Sequence, residues 1–252
     1  MDNLTPIVNL MMRAAEKASY SIVRDFGELE KLQVSRKGYK NFVTNSDRRS
    51  SEQIRYTLSK AYPDISFICE ESGIEMKADK DKFFIIDPID GTTNFMRGIP
   101  YFAITISYME SGNMKAAVTY DPIRGEMFKG KIGDGAFISG KNRLRVSGRE
   151  EISESVIAVR IPHSDERYLF DNGVFIRHTG ALSLDISYFC AGKYDAVVAK
   201  SAHLWDIASA MVFVRESGGF LKCVKNEDGT YNILAASSNK LMKNLSDFYK
   251  FD

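Results

Sequence analysis

The residues best suited to chemistry lie in one run, Asp87-Pro88-Ile89-Asp90-Gly91-Thr92-Thr93-Asn94-Phe95. It follows a short apolar stretch, Phe83-Phe84-Ile85-Ile86, that reads as a buried strand. The strand therefore ends at a carboxylate, turns at a proline, offers a second carboxylate and opens into Gly-Thr-Thr. Asp87 and Asp90 supply hard oxygen ligands of the kind Mg²⁺ takes. Backbone amides from Gly91 to Thr93 can face a phosphate if they begin a helix. Two aspartates around a turn are, taken alone, ordinary turn chemistry. The nine-residue string is far more specific.

Four other segments share that chemistry from distant positions. Cys69-Glu70-Glu71-Ser72 puts two carboxylates at the exit of a buried strand. Val43-Thr44-Asn45-Ser46-Asp47 and His203-Leu204-Trp205-Asp206 each put one at a helix start, and Lys37-Gly38 lies in a loop before the first of these. Each has a plain structural use. Asp47 and Asp206 would complement helix dipoles, Glu70 and Glu71 would be a solvated strand exit, and Trp205 would pack.

The elements that must position these residues follow from periodicity. Thr5-Pro6 reads as an N-cap and first helical residue. Ile7, Leu10, Met11, Ala14, Ala15, Ala18 and Ile22 then recur at helical spacing, predicting a helix to about Phe26. A second helix is expected from Ser46, with Ile54, Leu58 and Ala61 inward, stopped by Pro63. Strands are expected at 65–69 and 83–87, then a hairpin of 103–108 and 114–120 across Ser111-Gly112-Asn113. Further strands follow at 126–131, 136–139, 156–160, 194–199, 220–224 and 232–236. Helices are expected at 181–191, at 205–216 before Gly218-Gly219, and after Asn239. Helices and hairpins come in blocks, which favours layered α+β architecture over a doubly wound parallel sheet. The polar segment 146–155 marks a seam between an N-terminal half, about 1–145, and a C-terminal half, about 146–252.

Composition excludes several classes. The 252 residues are 44% hydrophobic and 27% charged, with a formal net charge of +1, which points to neither a nucleic-acid binder nor an acidic tail protein. The local basic cluster Lys141, Arg143, Arg145 and Arg149 reads as a solvated loop, with an RNA or protein partner as the other reading. Cys69, Cys190 and Cys223 fit neither a disulfide framework nor a zinc site, and their apolar surroundings predict buried reduced thiols and a cytoplasmic setting. No basic segment precedes an apolar core near Asp2 and Asn3, so no signal peptide is expected. No stretch approaches the ~18 apolar residues a membrane span needs.

Together the segments resemble the inositol monophosphatase family. The signatures stand in order: Lys37-Gly38, Val43-Thr44-x-x-Asp47, Glu70-Glu71-Ser72, Asp87 through Phe95, and Trp205-Asp206 leading to Glu216-Ser217-Gly218-Gly219. The resemblance covers nearly the whole chain, and Thr93-Asn94-Phe95 favours the inositol monophosphatase branch of a wider group of Mg²⁺-dependent, lithium-sensitive phosphatases. It implies a single phosphatase domain folded as an α/β/α/β/α sandwich. It implies that Glu70, Asp87 and the Ile89 carbonyl bind a first Mg²⁺, that Asp87, Asp90 and Asp206 bind a second, and that Glu70 reaches a third through water. Gly91, Thr92 and Thr93 would hold phosphate, and Asp47 with Thr92 would orient the attacking water. The expected reaction is hydrolysis of a small phosphate monoester, nominally myo-inositol 1-phosphate. Other sugar or polyol phosphates such as fructose 1,6-bisphosphate stay open, as does a partner role in bacterial transcription complexes. A homodimer is expected.

The physics agrees. Phosphate monoester hydrolysis can require roughly 10²¹-fold acceleration. Two ions roughly 4 Å apart can stabilise both the attacking and the leaving oxygen of an in-line displacement. Oxygen ligands without paired cysteines or histidines favour Mg²⁺ over Zn²⁺. A covalent aspartyl phosphate is not expected, because that chemistry needs two aspartates spaced by one residue, and Ile89 occupies the place required.

The sequence departs from the family at the substrate end. Asn41 stands where an aspartate is usual two residues before Val43. Gly180-Ala181-Leu182-Ser183-Leu184 replaces a Gly-Ser/Thr-Ala-Ala-Leu pattern, so a hydroxyl is lost and Leu182 brings bulk to the substrate rim. Ala199, followed by Lys200, stands four residues before His203, where inositol-specific members carry a glutamate that contacts a ring hydroxyl. Losing a hydrogen-bond partner for a hydroxyl relaxes specificity. Lys200 reads as a solvated lysine or as an attractor for a second anion. The segment 162–177 looks short of a helix that covers the pocket and forms the dimer contact.

Overall fold

The computed structural model describes residues 6–29, 36–140 and 142–251. Thr5 and Lys141 lie outside the described residues, as do the side chains of Lys37, Asn41, Val43 and Thr44. Two helices come first, α1 (Pro6–Leu29) and α2 (Arg36–Ser59). They are followed by β1 (Ile65–Cys69), β2 (Gly73–Glu75), β3 (Asp79–Asp90), α3 (Thr92–Met96), β4 (Ala103–Glu110), β5 (Asn113–Asp121), β6 (Glu126–Lys131), β7 (Gly135–Ile138) and β8 (Asn142–Arg143). The remainder is β9 (Val156–Arg160), α4 (Arg167–Asp171), β10 (Phe175–Arg177), α5 (Leu182–Cys190), β11 (Ala196–Ala202), α6 (Leu204–Ile207), α7 (Ala210–Ser217), β12 (Phe220–Lys225), β13 (Tyr231–Ala236) and α8 (Asn239–Phe248).

Two mixed sheets carry the molecule. The larger runs β2-β1-β3-β4-β5-β6-β7-β8 and the smaller β10-β9-β11-β13-β12. Side-chain alternation along each strand feeds two cores at once. In the large sheet Ile104 and Ile106 turn toward α1 and α2, whereas Ala103 and Ala117 pack on the other side with α5 and α7. In the small sheet Val197, Ile233 and Ala235 face that same middle layer, while Ile157, Val198 and Leu234 meet Leu241 and Leu245 of α8. The layers are therefore helix, sheet, helix, sheet, helix. This double burial explains why the strands read as nearly continuous apolar runs.

Several boundaries differ from the periodicity reading. The second helix begins at Arg36 rather than Ser46, which places Lys37 and Gly38 on helical backbone instead of in a loop. It ends at Ser59, so Ala61 sits in a turn and is exposed. The third strand is longer at both ends, because it pairs with β1 from Ile65↔Asp79 and its pairing with β4 continues to Asp90↔Ala103 past an irregularity. The expected 205–216 helix is two, although Ala208 and Ser209 keep right-handed helical dihedrals and only the hydrogen-bond ladder lapses between them. Segment 162–177 holds one turn of 3₁₀ helix, the five-residue α4 and the edge strand β10. Cys69 and Cys190 are buried free thiols, whereas Cys223 is only half-buried.

Candidate active site

The site forms where the C-terminal end of β3 meets the N-terminal ends of α3, α5 and α6. Asp87, Asp90 and Asp206 are all buried, and each offers a carboxylate oxygen within 4.8 Å of the others. Asp87 and Asp90 come from the large sheet. Asp206 comes from the first turn of α6, 116 positions after Asp90, and only the stacking of the layers brings it in.

Local bonding fixes each carboxylate. The Ile89 amide donates to Asp87 Oδ1 at 3.0 Å, closing a turn on Asp87 itself. Thr92 Oγ1 donates to the Ile89 carbonyl at 3.0 Å. Asp90 Oδ2 accepts from the Ser183 amide at 2.7 Å and from Ser183 Oγ at 2.5 Å. Asp206 Oδ2 accepts from the His203 amide at 3.1 Å and from the Arg160 guanidinium. Ser183 and Arg160 were not foreseen as site residues. Ala181 leaves the usual hydroxyl place of the 180–184 segment without one, but Ser183, two positions on, bonds Asp90.

Two glycines are obligatory for reasons visible in the backbone. Gly91 sits at φ +97°, and a Cβ there would lie 3.1 Å from the Ala181 Cβ and 3.2 Å from the Tyr101 carbonyl oxygen. Gly180 sits at φ +87°, with the Asn94 side-chain nitrogen 3.0 Å from where its Cβ would be. That Asn94 amide donates to the carbonyls of Tyr101 and Thr179, both at 2.7 Å, and so ties the large-sheet loop to the segment entering α5.

The acidic groups are held in an environment that resists their charge. Burial, then the Asp90, Glu70 and Asp206 charges, push Asp87 well above the usual carboxylate range. Asp90 is raised by burial and Asp206, against the lowering bonds from Ser183. Glu70 is raised chiefly by burial. Asp47 is buried and pushed up to about 8 by burial and by Glu71 and Glu70. Its Oδ1 has no hydrogen-bond partner among the described residues. Asp185, which accepts from Tyr101 and Thr179 side chains, is raised to about 7 by burial. Converging buried carboxylates with an orphaned oxygen nearby are the donor set of a hard divalent cation, so the residues fit Mg²⁺.

A cavity of about 800 Å³ collects most of the expected residues. Glu70, Asp87, Ile89, Asp90, Gly91, Thr92, Thr93, Leu182, His203 and Asp206 all line it. Asp47 does not line it. It approaches from α2, whose position on α1 is held by Ser46 Oγ and Arg49 donating to the buried Asp25 at 2.8 and 2.6 Å. Ala199 is a correction to the expected rim, because it is fully buried in the middle layer. Its neighbours Lys200 and Ser201 line the cavity instead, where β11 bulges and Ser201 adopts φ +52°. Lys200 is not simply solvated, since its Nζ donates to Asp165 at 2.7 Å.

With fold and geometry in view, comparison with known proteins gives the class. The family model for the inositol monophosphatase family matches residues 3–247. Inositol-1-monophosphatase of Caulobacter vibrioides is 37% identical, over 86% of this chain and 90% of that protein. Nus factor SuhB of Pasteurella multocida is 34% identical, over 98% of this chain and 100% of that protein. The crystal structure of extragenic suppressor protein suhB from Bartonella henselae superposes with a TM-score of 0.85 at 34% identity, covering 98% of this chain and all of that one. The chain belongs to the inositol monophosphatase family, which is metal-dependent, and is a phosphoric monoester hydrolase.

Proposed function

We propose that this protein hydrolyses a small phosphate monoester with Mg²⁺, nominally myo-inositol 1-phosphate to inositol and phosphate, without a covalent intermediate. The observation that carries the reading is the convergence of Asp87, Asp90 and Asp206 beside the Gly91–Thr93 turn on one cavity wall. Glu70, Asp87 and the Ile89 carbonyl would hold one ion, Asp87, Asp90 and Asp206 a second, and Glu70 would support a third through water. Mg²⁺ bound there would polarise the phosphate, lower the pKa of a water and neutralise the leaving oxygen. The protein's own part is positional. Gly91, Thr92 and Thr93 present backbone amides and hydroxyls to the phosphate. Asp47 and Thr92 orient the attacking water, with the unpartnered Asp47 oxygen available to accept its proton. Ser183 and Arg160 hold the Asp90 and Asp206 carboxylates, and Leu182 and His203 shape the rim.

The substrate end supports a wider range than inositol phosphates. The rim adds Arg160, His163, His178 and Lys200 to the cavity wall, and the sequence neighbours of Ala199 include no glutamate to read a ring hydroxyl. Fructose 1,6-bisphosphate and other sugar or polyol phosphates are therefore the alternative. The experiment is Mg²⁺-dependent phosphate release across a panel of small phosphate esters, with Asp87→Asn as control. Release from inositol 1-phosphate alone supports the narrow reading, release from several esters the broad one, and release from none overturns both.

A second reading rests on the relatives named Nus factor SuhB. It makes the chain a homodimeric, cytoplasmic partner in bacterial transcription complexes. Asp87→Asn separates the two in cells. Full cellular function with no hydrolysis would favour the partner role.

A further inference from the structure

The chain contains 3 histidines, and all of them, His163, His178 and His203, line the one cavity. Two of them converge on a single carboxylate. His163 Nδ1 lies 2.5 Å from Glu166 Oε1, and His178 Nε2 lies 3.1 Å from Glu166 Oε2. The two rings stand edge to face with centroids 5.4 Å apart. Each of the three residues offers a donor atom within 4.8 Å of the others. A tetrahedral Zn²⁺ with bonds of about 2.0–2.1 Å to nitrogen or oxygen holds its donors about 3.4 Å apart, so binding draws these three side chains in around the ion.

The donors arrive on a braced frame. The His178 ring follows β10, which pairs with β9 in parallel register through Ile176↔Ile157 and Arg177↔Ala158. Glu166 caps α4, and its amide donates to the His163 carbonyl at 3.2 Å while its carbonyl accepts from Phe170 at 3.0 Å. The adjoining Asp165 is held twice. Its carboxylate accepts from Lys200, and its carbonyl accepts from Tyr249 OH at 2.9 Å. Leu169 anchors the same turn in the outer core.

We propose that His163, Glu166 and His178 form a binding site for a borderline divalent ion of the Zn²⁺ class at the mouth of the catalytic cavity. The donor chemistry separates it from the carboxylate trio. Two imidazoles and one carboxylate suit Zn²⁺, whereas three carboxylates suit Mg²⁺. Its place is also separate: the His163 side chain is 90% exposed, while Asp87, Asp90 and Asp206 are buried. Three protein ligands leave one position of a tetrahedron for water or an anionic oxygen. Both imidazoles border the cavity, so that position is available to an anionic group of whatever occupies it. Glu166 stays below the surface, with its side chain 16% exposed, and binding replaces its two histidine hydrogen bonds with metal bonds.

Co²⁺ serves as the spectroscopic stand-in for Zn²⁺, titrated into the full chain with Mg²⁺ saturating the carboxylates. The expected result is an intense visible band of low-coordinate Co²⁺, displaced by one equivalent of Zn²⁺. His178→Ala and Glu166→Gln abolish the band, and His203→Ala keeps it. Circular dichroism and melting temperature establish that each variant is folded. Absence of the band in the parent protein, or its survival in folded His178→Ala, overturns the proposal. The band's dependence on His178 is read whether or not Mg²⁺ shifts the melting temperature or phosphate is released, so this site and the proposed hydrolytic site fail separately.

Discussion

Asp90 and Asp206 illustrate what one side chain contributes here. Each is buried, and each is steered by two donors onto one oxygen, leaving the other to face a cation. Asp90→Asn or Asp206→Asn should lower turnover by roughly 10² or more, because charge facing the transition state is lost while shape is kept. Ordinary turnover in either variant would remove the assignment. Ser183→Ala deletes the hydroxyl donor but keeps the amide. A hydrogen bond to a charged group is worth about 1.5–3 kcal/mol, so the Mg²⁺ concentration needed for half-maximal activity should shift measurably. His203→Ala should cost less than any of these, since the His203 backbone amide, which the variant keeps, is what holds the Asp206 carboxylate. The convergence of Asp87, Asp90 and Asp206 was legible because the Asp-Pro-Ile-Asp-Gly-Thr run and the Trp-Asp pair are specific. Ser183 was hidden because it stands two places beyond the motif's usual hydroxyl, and Arg160 by being the last residue of an unremarkable strand.

Among the elements, the junction of β3, α3 and α5 carries the most constraint. Gly91→Ala must place a side chain at positive φ and push a Cβ against Ala181 and Tyr101. A non-glycine residue strained in this way costs on the order of 1–3 kcal/mol, which thermal unfolding will register as a lower melting temperature. An unchanged melting temperature would mean that the backbone here relaxes freely. Asn94→Ala leaves two partly buried carbonyls, those of Tyr101 and Thr179, without this donor, and should cost about 0.5–1.5 kcal/mol per lost bond. The same loop carries Thr92 and Thr93, so this variant should also raise KM. The inner strand positions followed from apolar runs because both sheets are buried on both faces, whereas the short exposed edge strands β2, β8 and β10 had no such run to announce them. Helix boundaries did not. The early start of α2 at Arg36 has no apolar periodicity to announce it, and the gap between α6 and α7 leaves the dihedrals helical.

For the molecule as a whole, the site is a source of instability that metal should relieve. Asp47 is raised from 3.8 to about 8 and Asp185 from 3.8 to about 7, so the folded state binds more protons than the unfolded one in that interval. Their contribution to stability is fully present below about pH 4 and is lost as pH rises through 7 and 8. Metal-free protein should therefore lose melting temperature between pH 5 and 8 from these groups. At about 100 times its dissociation constant, Mg²⁺ should add about 2.7 kcal/mol, and its stabilising effect should grow over the same pH interval. A melting temperature that ignores Mg²⁺ at pH 8 would count against the site. No helix among the described residues is long and apolar enough to cross a membrane.

The sequence by itself determined the donors and the layers. Residue type and spacing identify a strand ending in hard oxygen ligands, and apolar runs between turns identify buried strands set in blocks with helices, because both are local consequences of side-chain chemistry and backbone period. Only the tertiary structure decided which residues face the cavity. It buried Ala199 in the middle layer and brought Lys200 to the wall, because a bulge in β11 interrupts the alternation that a plain strand would keep. It also set Ser183 against Asp90 across 93 positions and gathered His163, Glu166 and His178 onto one edge. The Ser183–Asp90 contact depends on how one sheet stacks on another, and the His163–Glu166–His178 cluster on how a short turn folds back beside an edge strand; no periodicity along the chain encodes either distance.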